Sequence, residues 1–228
     1  MTSGPPPPVL AVTGLAKAVP GGRQLFRDLA FAVAPGEIVA IMGESGVGKS
    51  TLLNLVAGLD TADAGRIAIA GQDLAGLDDD ARTLLRRNRI GFVFQAFHIL
   101  PHLTLAQNTA LPLVLARTPA AAALDRATAM LAKVGLGVRG GDYPAQLSGG
   151  EMQRIAIARA LVHTPALILA DEPTGNLDPE TAERVLALFV TETRASGAGT
   201  VIVTHSDRAA QVADRVLVLG PAGLVPRP

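Results

Sequence analysis

The segment GESGVGKS combines three glycines with a lysine and a hydroxyl residue in the pattern G-x-x-x-x-G-K-[ST]. Glycines at this spacing let backbone N–H groups converge on an anion, and the lysine adds a positive charge. The apolar run EIVAIM precedes the segment and the helical pattern KSTLLNLVAG follows it, so a helix N-terminus would face the same anion. We therefore predict a phosphate cradle for a nucleoside triphosphate, formed by Gly43, Glu44, Ser45, Gly46, Val47, Gly48, Lys49, Ser50 and Thr51.

Two adjacent carboxylates, Asp171 and Glu172, end the apolar run ALILADE. The carboxyl ends of strands in a doubly wound sheet are where ligands bind. We expect Asp171 to hold Mg²⁺ with the Ser50 hydroxyl, and Glu172 to act as the base that polarises an attacking water. Because Pro173 follows, the alternative is that both acids only cap the next turn.

Two more polar residues, Gln95 and His205, follow the apolar runs IGFVF and TVIVT. Gln95 would contact the metal or the water, and His205 would donate to a γ-phosphate. Each has a structural alternative, since a strand often ends in a polar residue and a lone histidine usually has no catalytic role.

The string LSGGE, from Leu147 to Glu151, is a second glycine-rich segment. Ser148 and Glu151 form an S-x-x-E capping box, which predicts a helix through MQRIAIARALV. The Ser148 hydroxyl and the N–H groups of Gly149 and Gly150 would then lie at the positive end of that helix. This segment is either an ordinary capped helix or a second anion site, and a second site would place the nucleotide between two surfaces.

Short apolar runs without alternation predict strands covered on both faces, and helical patterns between them predict a largely parallel sheet. We expect helices over 49–57 and 179–195, with Gly58 and Gly197 at their ends. The fold class is therefore α/β. The predicted strands are Val9–Gly14, Glu37–Met42, Arg66–Ala70, Ile90–Phe94, Ala166–Ala170, Thr200–Thr204 and Arg215–Leu219.

Two insertions interrupt the alternation of strands and helices. Residues 96–162 contain alanine-rich helical patterns and predict an inserted helical subdomain, whereas residues 9–33 with 66–70 predict a small antiparallel β layer. We expect one domain over 9–220, a proline-rich flexible head over 1–8 and a flexible tail over 221–228.

Composition excludes several classes of protein. The chain of 228 residues has 20 basic and 20 acidic residues, so no strong field attracts nucleic acid, and without cysteine it has no disulfide framework or thiolate nucleophile. No apolar run reaches the roughly 18 residues that span a bilayer, and no signal-peptide pattern begins the chain. Only 18% of residues are charged, which indicates a surface covered by a partner. We expect a cytoplasmic protein.

Taken in order, GESGVGKST, Gln95, LSGGEMQR, ALILADE, NLD and His205 resemble the ATP-binding subunit of an ABC transporter over about residues 9–220. The strings IGFVFQAFHILPHLT and DEPTGNLD resemble more narrowly its lipoprotein-releasing and macrolide-exporting branch, which includes FtsE-like cell-division ATPases. The resemblance implies a P-loop NTPase with a RecA-like sheet, ATP and Mg²⁺ as ligands, and ATP hydrolysis. It also implies that Ser50, Gln95 and Asp171 hold the metal.

The resemblance further implies two nucleotide-binding subunits packed head to tail, each ATP lying between one cradle and the partner's copy of Leu147, Ser148, Gly149, Gly150 and Glu151. Asp178 would signal across that interface. The partner would be an integral membrane permease, which places this chain peripherally on the cytoplasmic face of the membrane. Part of the apolar segment 97–116 is either a groove for the permease or the core of the helical subdomain. Whether the second subunit is an identical copy stays open.

Two features depart from the family pattern, and one is QNT at 107–109, where this branch often has ENV. The family usually stacks adenine on an aromatic residue before the first strands, whereas this chain has KAVPGGRQ, in which Val19 offers an aliphatic contact. The phosphate cradle is compatible with three functions: a transport ATPase, a regulatory ATPase of FtsE-like type whose membrane partner moves no substrate, and a soluble P-loop enzyme such as a kinase. LSGGE with NLD and His205 argues against the third.

Overall fold

The computed structural model describes residues 6–19, 21–220 and 223–227. Within these ranges the chain forms ten strands and seven α-helices. The strands are β1 Leu10–Ala18, β2 Gln24–Val33, β3 Ile38–Met42, β4 Ala64–Ile69, β5 Gln72–Asp73, β6 Ile90–Phe94, β7 Leu167–Asp171, β8 Gly199–Val203, β9 Arg215–Gly220 and β10 Gly223–Pro226. The helices are α1 Lys49–Val56, α2 Asp79–Arg89, α3 Leu105–Leu115, α4 Ala120–Lys133, α5 Gly149–Leu161, α6 Pro179–Ser196 and α7 Asp207–Gln211.

The central sheet has six strands in the order β10-β9-β3-β8-β7-β6. Strands β9, β3, β8, β7 and β6 pair in parallel, and β10 is antiparallel. Residues 38–41 of β3 are fully buried, as expected for a central strand that is apolar on both faces. The α/β fold with a mostly parallel sheet is confirmed.

The antiparallel layer has four strands in the order β2-β1-β4-β5. It shares one core with the central sheet, since Phe26 and Ile69 of the layer belong to the same buried cluster as Val39 and Leu169 of the sheet. The predicted β layer is therefore present, and its inner face brings β2 close to the phosphate cradle.

Helices α3, α4 and α5 lie between β6 and β7, where the fully described residues 95–166 contain no strand. Helix α3 begins with a capping box of Thr104 and Gln107, and buried Asn108 bonds to the main chain of the loop before it. Two small buried clusters hold the three helices together. This is the predicted helical subdomain.

The tail differs from the flexible segment that composition predicts. Gly223–Pro226 form β10, and Leu224 pairs with Leu219 at the edge of the central sheet. In the head, residues 6–8 have no regular structure, while residues 1–5 lie outside the described residues.

Helix α2 is also absent from the sequence predictions, although Asp78 caps it through the N–H of Ala81 at 2.8 Å. It carries a basic cluster of Arg86, Arg87 and Arg89 in its last turn. Arg86 is half-buried and donates to the Gly58 carbonyl at 2.8 Å, so this part of the cluster ties α2 to the end of α1.

Candidate functional site

The cradle is a tight loop between β3 and α1 that requires glycine at two positions. A Cβ on Gly43 would lie 2.6 Å from the Leu219 carbonyl oxygen, so only glycine fits against β9. Gly48 caps α1 with φ at 108°, in the left-handed region that favours glycine. Together they turn the loop back over the helix N-terminus, where an anion binds.

Lys49 lies over the cradle that it belongs to. Its Nζ donates to the carbonyl oxygens of Gly43 at 2.8 Å and Glu44 at 3.0 Å. The ammonium group is therefore held above the loop whose N–H groups would bind phosphate.

One cavity of about 480 Å³ brings the predicted cradle and polar residues together. Three residues from the β layer, Val19, Arg23 and Leu25, form another part of its wall. The predicted residues in the wall are Ser45, Gly46, Gly48, Lys49, Ser50, Thr51, Gln95, Asp171, Glu172 and His205.

Asp171 ends β7 and is half-buried beside Ser50. Burial raises the pKa of the Asp171 carboxyl above its ordinary value, whereas a hydrogen bond with the Ser50 side chain acts to lower it. The hydroxyl of Ser50, the carboxyl of Asp171 and the amide of Gln95 are hard oxygen donors on one cavity. Mg²⁺ prefers such a sparse oxygen set completed by substrate phosphates and water, so these residues fit it.

Glu172 has φ at 47°, a left-handed conformation that is uncommon for glutamate. Its Oε2 accepts a hydrogen bond from Thr204 Oγ1 at 2.9 Å. Its Oε1 accepts from the main-chain N–H of His205 at 2.9 Å and lies 2.6 Å from Nδ1 of the same residue. The Glu172 side chain is 14% exposed and that of His205 is 73% exposed. The carboxylate is thus fixed under an accessible imidazole.

Sequence reasoning missed Thr204, the last residue before His205 and 1% exposed. A threonine at the end of an apolar strand carries no signal of its own. Only the β7–β8 pairing, which sets Asp171 beside Val203, reveals that Thr204 reaches Glu172.

Gln95 contacts a loop on the other side of Glu172. Its Nε2 donates to Asn176 Oδ1 at 2.9 Å. Asn176 precedes Asp178, whose carboxylate accepts from the Thr181 N–H at 3.0 Å and caps α6. That bond to Thr181 lowers the pKa of Asp178. Asn176 is a second residue that sequence reasoning did not assign to the site.

The capping box at α5 is formed as predicted. Glu151 N donates to Ser148 Oγ at 3.3 Å, and Ser148 N donates back to Glu151 Oε2 at 2.8 Å. Arg139 adds an ion pair to Glu151 Oε1 at 2.6 Å. The bond from the Ser148 N–H is the largest of the causes that lower the pKa of Glu151.

The residues of the LSGGE segment differ in burial, since Gly150 is buried whereas Ser148 is exposed. Leu147 packs against the cluster of that subdomain, and Gly149 lies close to Leu177 and Phe97. Ser148, Gly150 and Glu151 line a cavity of about 430 Å³, and none of its lining residues belongs to the cradle cavity. Within one chain the two predicted anion sites are therefore separate.

Among the described residues, no helix combines the length and the apolar character needed to cross a membrane.

A family model described as ABC transporter matches residues 26–175. The lipoprotein-releasing system ATP-binding protein LolD of Maricaulis maris is 46% identical over 206 residues, covering 90% of each chain. The protein of the same name from Pseudomonas fluorescens is 46% identical over 220 residues, covering 95% of this chain and 97% of the relative.

Two solved structures are also similar. A dimeric ATP-binding cassette in a post-hydrolysis state, bound to ADP and phosphate, has a TM-score of 0.83 at 34% identity and covers 96% of this chain and 97% of its own. A dimeric bacterial ABC transporter cassette has a TM-score of 0.82 at 36% identity, with coverages of 94% and 96%. This chain therefore belongs to the ABC transporter family as an ATP-binding subunit that hydrolyses ATP.

Proposed function

We propose that this chain hydrolyses ATP as one half of a dimer and powers a separate integral membrane permease of the lipoprotein-releasing type. The observation that carries the dimer is the separation of the two predicted anion sites, since Ser148 and Lys49 line different cavities of one chain. A second copy packed head to tail would bring its Ser148 to this cradle. Both similar solved structures are dimeric, which supports the same arrangement.

The cavity suggests a role for each polar residue. The cradle and Lys49 would bind the β- and γ-phosphates, and Ser50, Gln95 and Asp171 would hold Mg²⁺. When bound, that ion would neutralise charge on the transferring phosphoryl group. Glu172, fixed by Thr204 and His205, would orient the attacking water and take its proton.

His205 would act above Glu172. Its imidazole is the more exposed of the two side chains, so its Nε2 could donate to a γ-phosphate while Nδ1 stays on Glu172.

The base of the nucleotide needs a surface other than an aromatic ring. Val19 and Arg23 face each other across a turn in which the Val19 N–H donates to the Arg23 carbonyl at 3.0 Å, and both line the cradle cavity. We propose that the Val19 side chain and the planar Arg23 guanidinium together form this surface. Guanidinium groups stack on aromatic faces, which makes Arg23 the stronger contributor.

A separate groove of about 560 Å³, which shares no lining residue with the cradle cavity, offers a docking surface for the permease. From the apolar segment 97–116, only His98, Leu111, Pro112 and Leu115 line it, and the other residues of that segment lie outside the groove. Leu115 is 57% exposed. The remaining lining residues are Leu59, Thr83, Arg86, Arg87, Ile90, Phe92, Phe94, Arg159, Ala160 and His163.

An apolar groove with arginines along it fits an amphipathic helix from the cytoplasmic side of a membrane protein. The relatives named for lipoprotein release favour a transport role over an FtsE-like regulatory role. This chain would then lie peripherally on the cytoplasmic face of the membrane.

The dimer proposal can be tested with Ser148→Arg. A bulky cation at the start of α5 should block the partner's nucleotide but leave the cradle of its own chain intact. We expect unchanged ATP affinity for the monomer and loss of hydrolysis, measured by nucleotide titration and phosphate release. Thr191→Arg, an exposed position late in α6, is the control and should hydrolyse normally. Normal turnover by Ser148→Arg would refute the shared site.

A further inference from the structure

The Gln95 side chain and main chain are both bonded to one residue of another loop. Gln95 Nε2 donates to Asn176 Oδ1 at 2.9 Å, and Asn176 Nδ2 donates to the main-chain oxygen of Gln95 at 2.9 Å. Both residues are exposed, so either bond alone would compete with water. Formed together, they fix the two carboxamides relative to each other.

The direction of these bonds determines how each amide is oriented. A main-chain carbonyl oxygen can only accept, so the Asn176 group that faces it must be the NH₂. Asn176 Oδ1 then faces Gln95, and the Gln95 group that meets it must be a donor. The Gln95 oxygen is consequently turned away from Asn176, and within the described residues no group donates to it.

The loop that carries Asn176 is itself fixed at both ends. Gly175 N donates to the Glu172 carbonyl at 3.0 Å, and Leu177 N donates to the Thr174 carbonyl at 3.2 Å. Asp178 then caps α6. Asn176 therefore lies on a turn that is anchored directly to the main chain of Glu172.

The close approach of the two loops depends on Gly175. A Cβ at this position would lie 2.9 Å from Gln95 Nε2 and 3.1 Å from its carboxamide carbon. Any side chain here would push the Gln95 amide away from Asn176. The contact is thus built into the main chain of both loops.

We infer that Asn176 is a positioning residue that keeps the Gln95 carboxamide turned so that its oxygen faces the cation beside Asp171. This inference rests on the proposed role of Gln95 as an oxygen donor to Mg²⁺. A flipped amide would present NH₂ hydrogens, which a cation repels. Because Asn176 is anchored to Glu172, the metal ligand and the base share one support.

The test uses the full chain with Glu172→Gln, so that ATP is bound without turnover. In Asn176→Ala, we expect the Mg²⁺ concentration that half-maximally tightens ATP binding to rise about two- to tenfold, as expected for the loss of one or two neutral hydrogen bonds. ATP binding without Mg²⁺ should not change. Asn88→Ala, an exposed asparagine at the end of α2, is the control and should match the parent protein.

A second readout needs no nucleotide. In protein labelled with ¹⁵N-glutamine, the Gln95 side-chain NH₂ signal is identified by its loss in Gln95→Ala. We expect this signal to shift in Asn176→Ala and in Gly175→Ala. It should stay at its original position in the control Asn88→Ala.

The outcomes separate this inference from the proposed function. If Gln95→Ala leaves the Mg²⁺ dependence unchanged, then Gln95 is not a metal ligand and the proposed role fails. If Gln95→Ala raises the Mg²⁺ concentration that half-maximally tightens ATP binding but Asn176→Ala does not, only the positioning role of Asn176 is overturned. An equal loss of ATP binding with and without Mg²⁺ in Asn176→Ala would also overturn it, because that pattern indicates a damaged cradle.

Discussion

At the scale of single residues, the site depends on how side chains are held as much as on which ones are present. Glu172 sits in a left-handed conformation and is bound by Thr204 and His205. A motif match gives the identity of the carboxylate but not these contacts. Strained, over-determined residues of this kind concentrate at functional sites.

Replacing the carboxylate tests the role of Glu172 as base. Glu172→Gln keeps the shape and an acceptor oxygen, so we expect ATP binding to persist. Hydrolysis should fall roughly 10²- to 10⁴-fold, the range that general-base catalysis supplies. Phosphate release under saturating ATP measures this, and wild-type turnover would remove Glu172 from the base role.

Removing the charge of Asp171 should raise the stability of the fold and weaken Mg²⁺-dependent ATP binding. Its raised pKa means that the folded chain releases this proton at a higher pH than the unfolded chain does. Stability therefore falls as the pH rises from the unfolded value through the folded one, and the loss persists at neutral pH.

Asp171→Asn should consequently melt a few degrees higher than the parent at pH 7 without nucleotide, and its stability should lose this acid pH dependence. Its Mg²⁺-dependent ATP binding should weaken. Thermal melts across pH 3–7 check the first point, and a lower melting temperature at pH 7 would contradict it.

Arg23 provides a test of base recognition. If its guanidinium stacks on adenine, Arg23→Ala should weaken ATP binding roughly 2- to 30-fold, in line with cation–π energies. Binding of inorganic tripolyphosphate, which has no base, should not change. Arg27→Ala, an exposed arginine of β2 outside the cavity, is the control. An equal loss for both ligands would assign Arg23 to the phosphates instead.

At the scale of elements, the sequence predicted those parts of the fold that depend on residues close together in the chain. The cradle, the capping box of α5 and the buried strands β3, β7 and β8 follow from glycines, a cap and apolar runs. These features are set within a few residues of the chain.

The elements that were missed depend on distant neighbours. Helix α2 is the exception, because its Asp78 cap and amphipathic pattern are local signals that were overlooked in a polar segment with one buried residue, Leu85. Strand β10 is short, and it forms because β9 offers an edge to pair with. The proline-rich composition of the segment does not predict a strand there. Asn176 is assigned only once the loops after β6 and β7 are seen side by side.

The groove makes a prediction at the level of elements. Leu115→Glu puts a charge into the apolar groove lined by α3 and β6, none of whose lining residues belongs to the cradle cavity. Basal ATP hydrolysis should persist, whereas copurification with a coexpressed permease of the lipoprotein-releasing type should be lost. Leu124→Glu, 41% exposed on α4 and outside the groove, is the control. Retained copurification of the Leu115→Glu protein would exclude the groove as the docking surface.

At the scale of the whole molecule, the proposed dimer would build each ATP site from two chains. The cradle cavity carries the groups proposed to bind phosphate and perform hydrolysis, and the cavity of Ser148 lies between α5 and α6. Arg159 of α5 donates to the carbonyl oxygens of Phe97 at 2.7 Å and His98 at 2.6 Å, so α5 is tied to the start of the subdomain, just after Gln95. Movement of the subdomain would therefore reach the catalytic cavity.

The most direct test of the account is the turnover of ATP per chain as a function of chain concentration, with the oligomeric state followed by light scattering. If each nucleotide is completed by a second copy, turnover per chain will fall on dilution and follow the fraction of dimer. Constant turnover at concentrations where only monomer is present would contradict the account and indicate a self-contained ATPase.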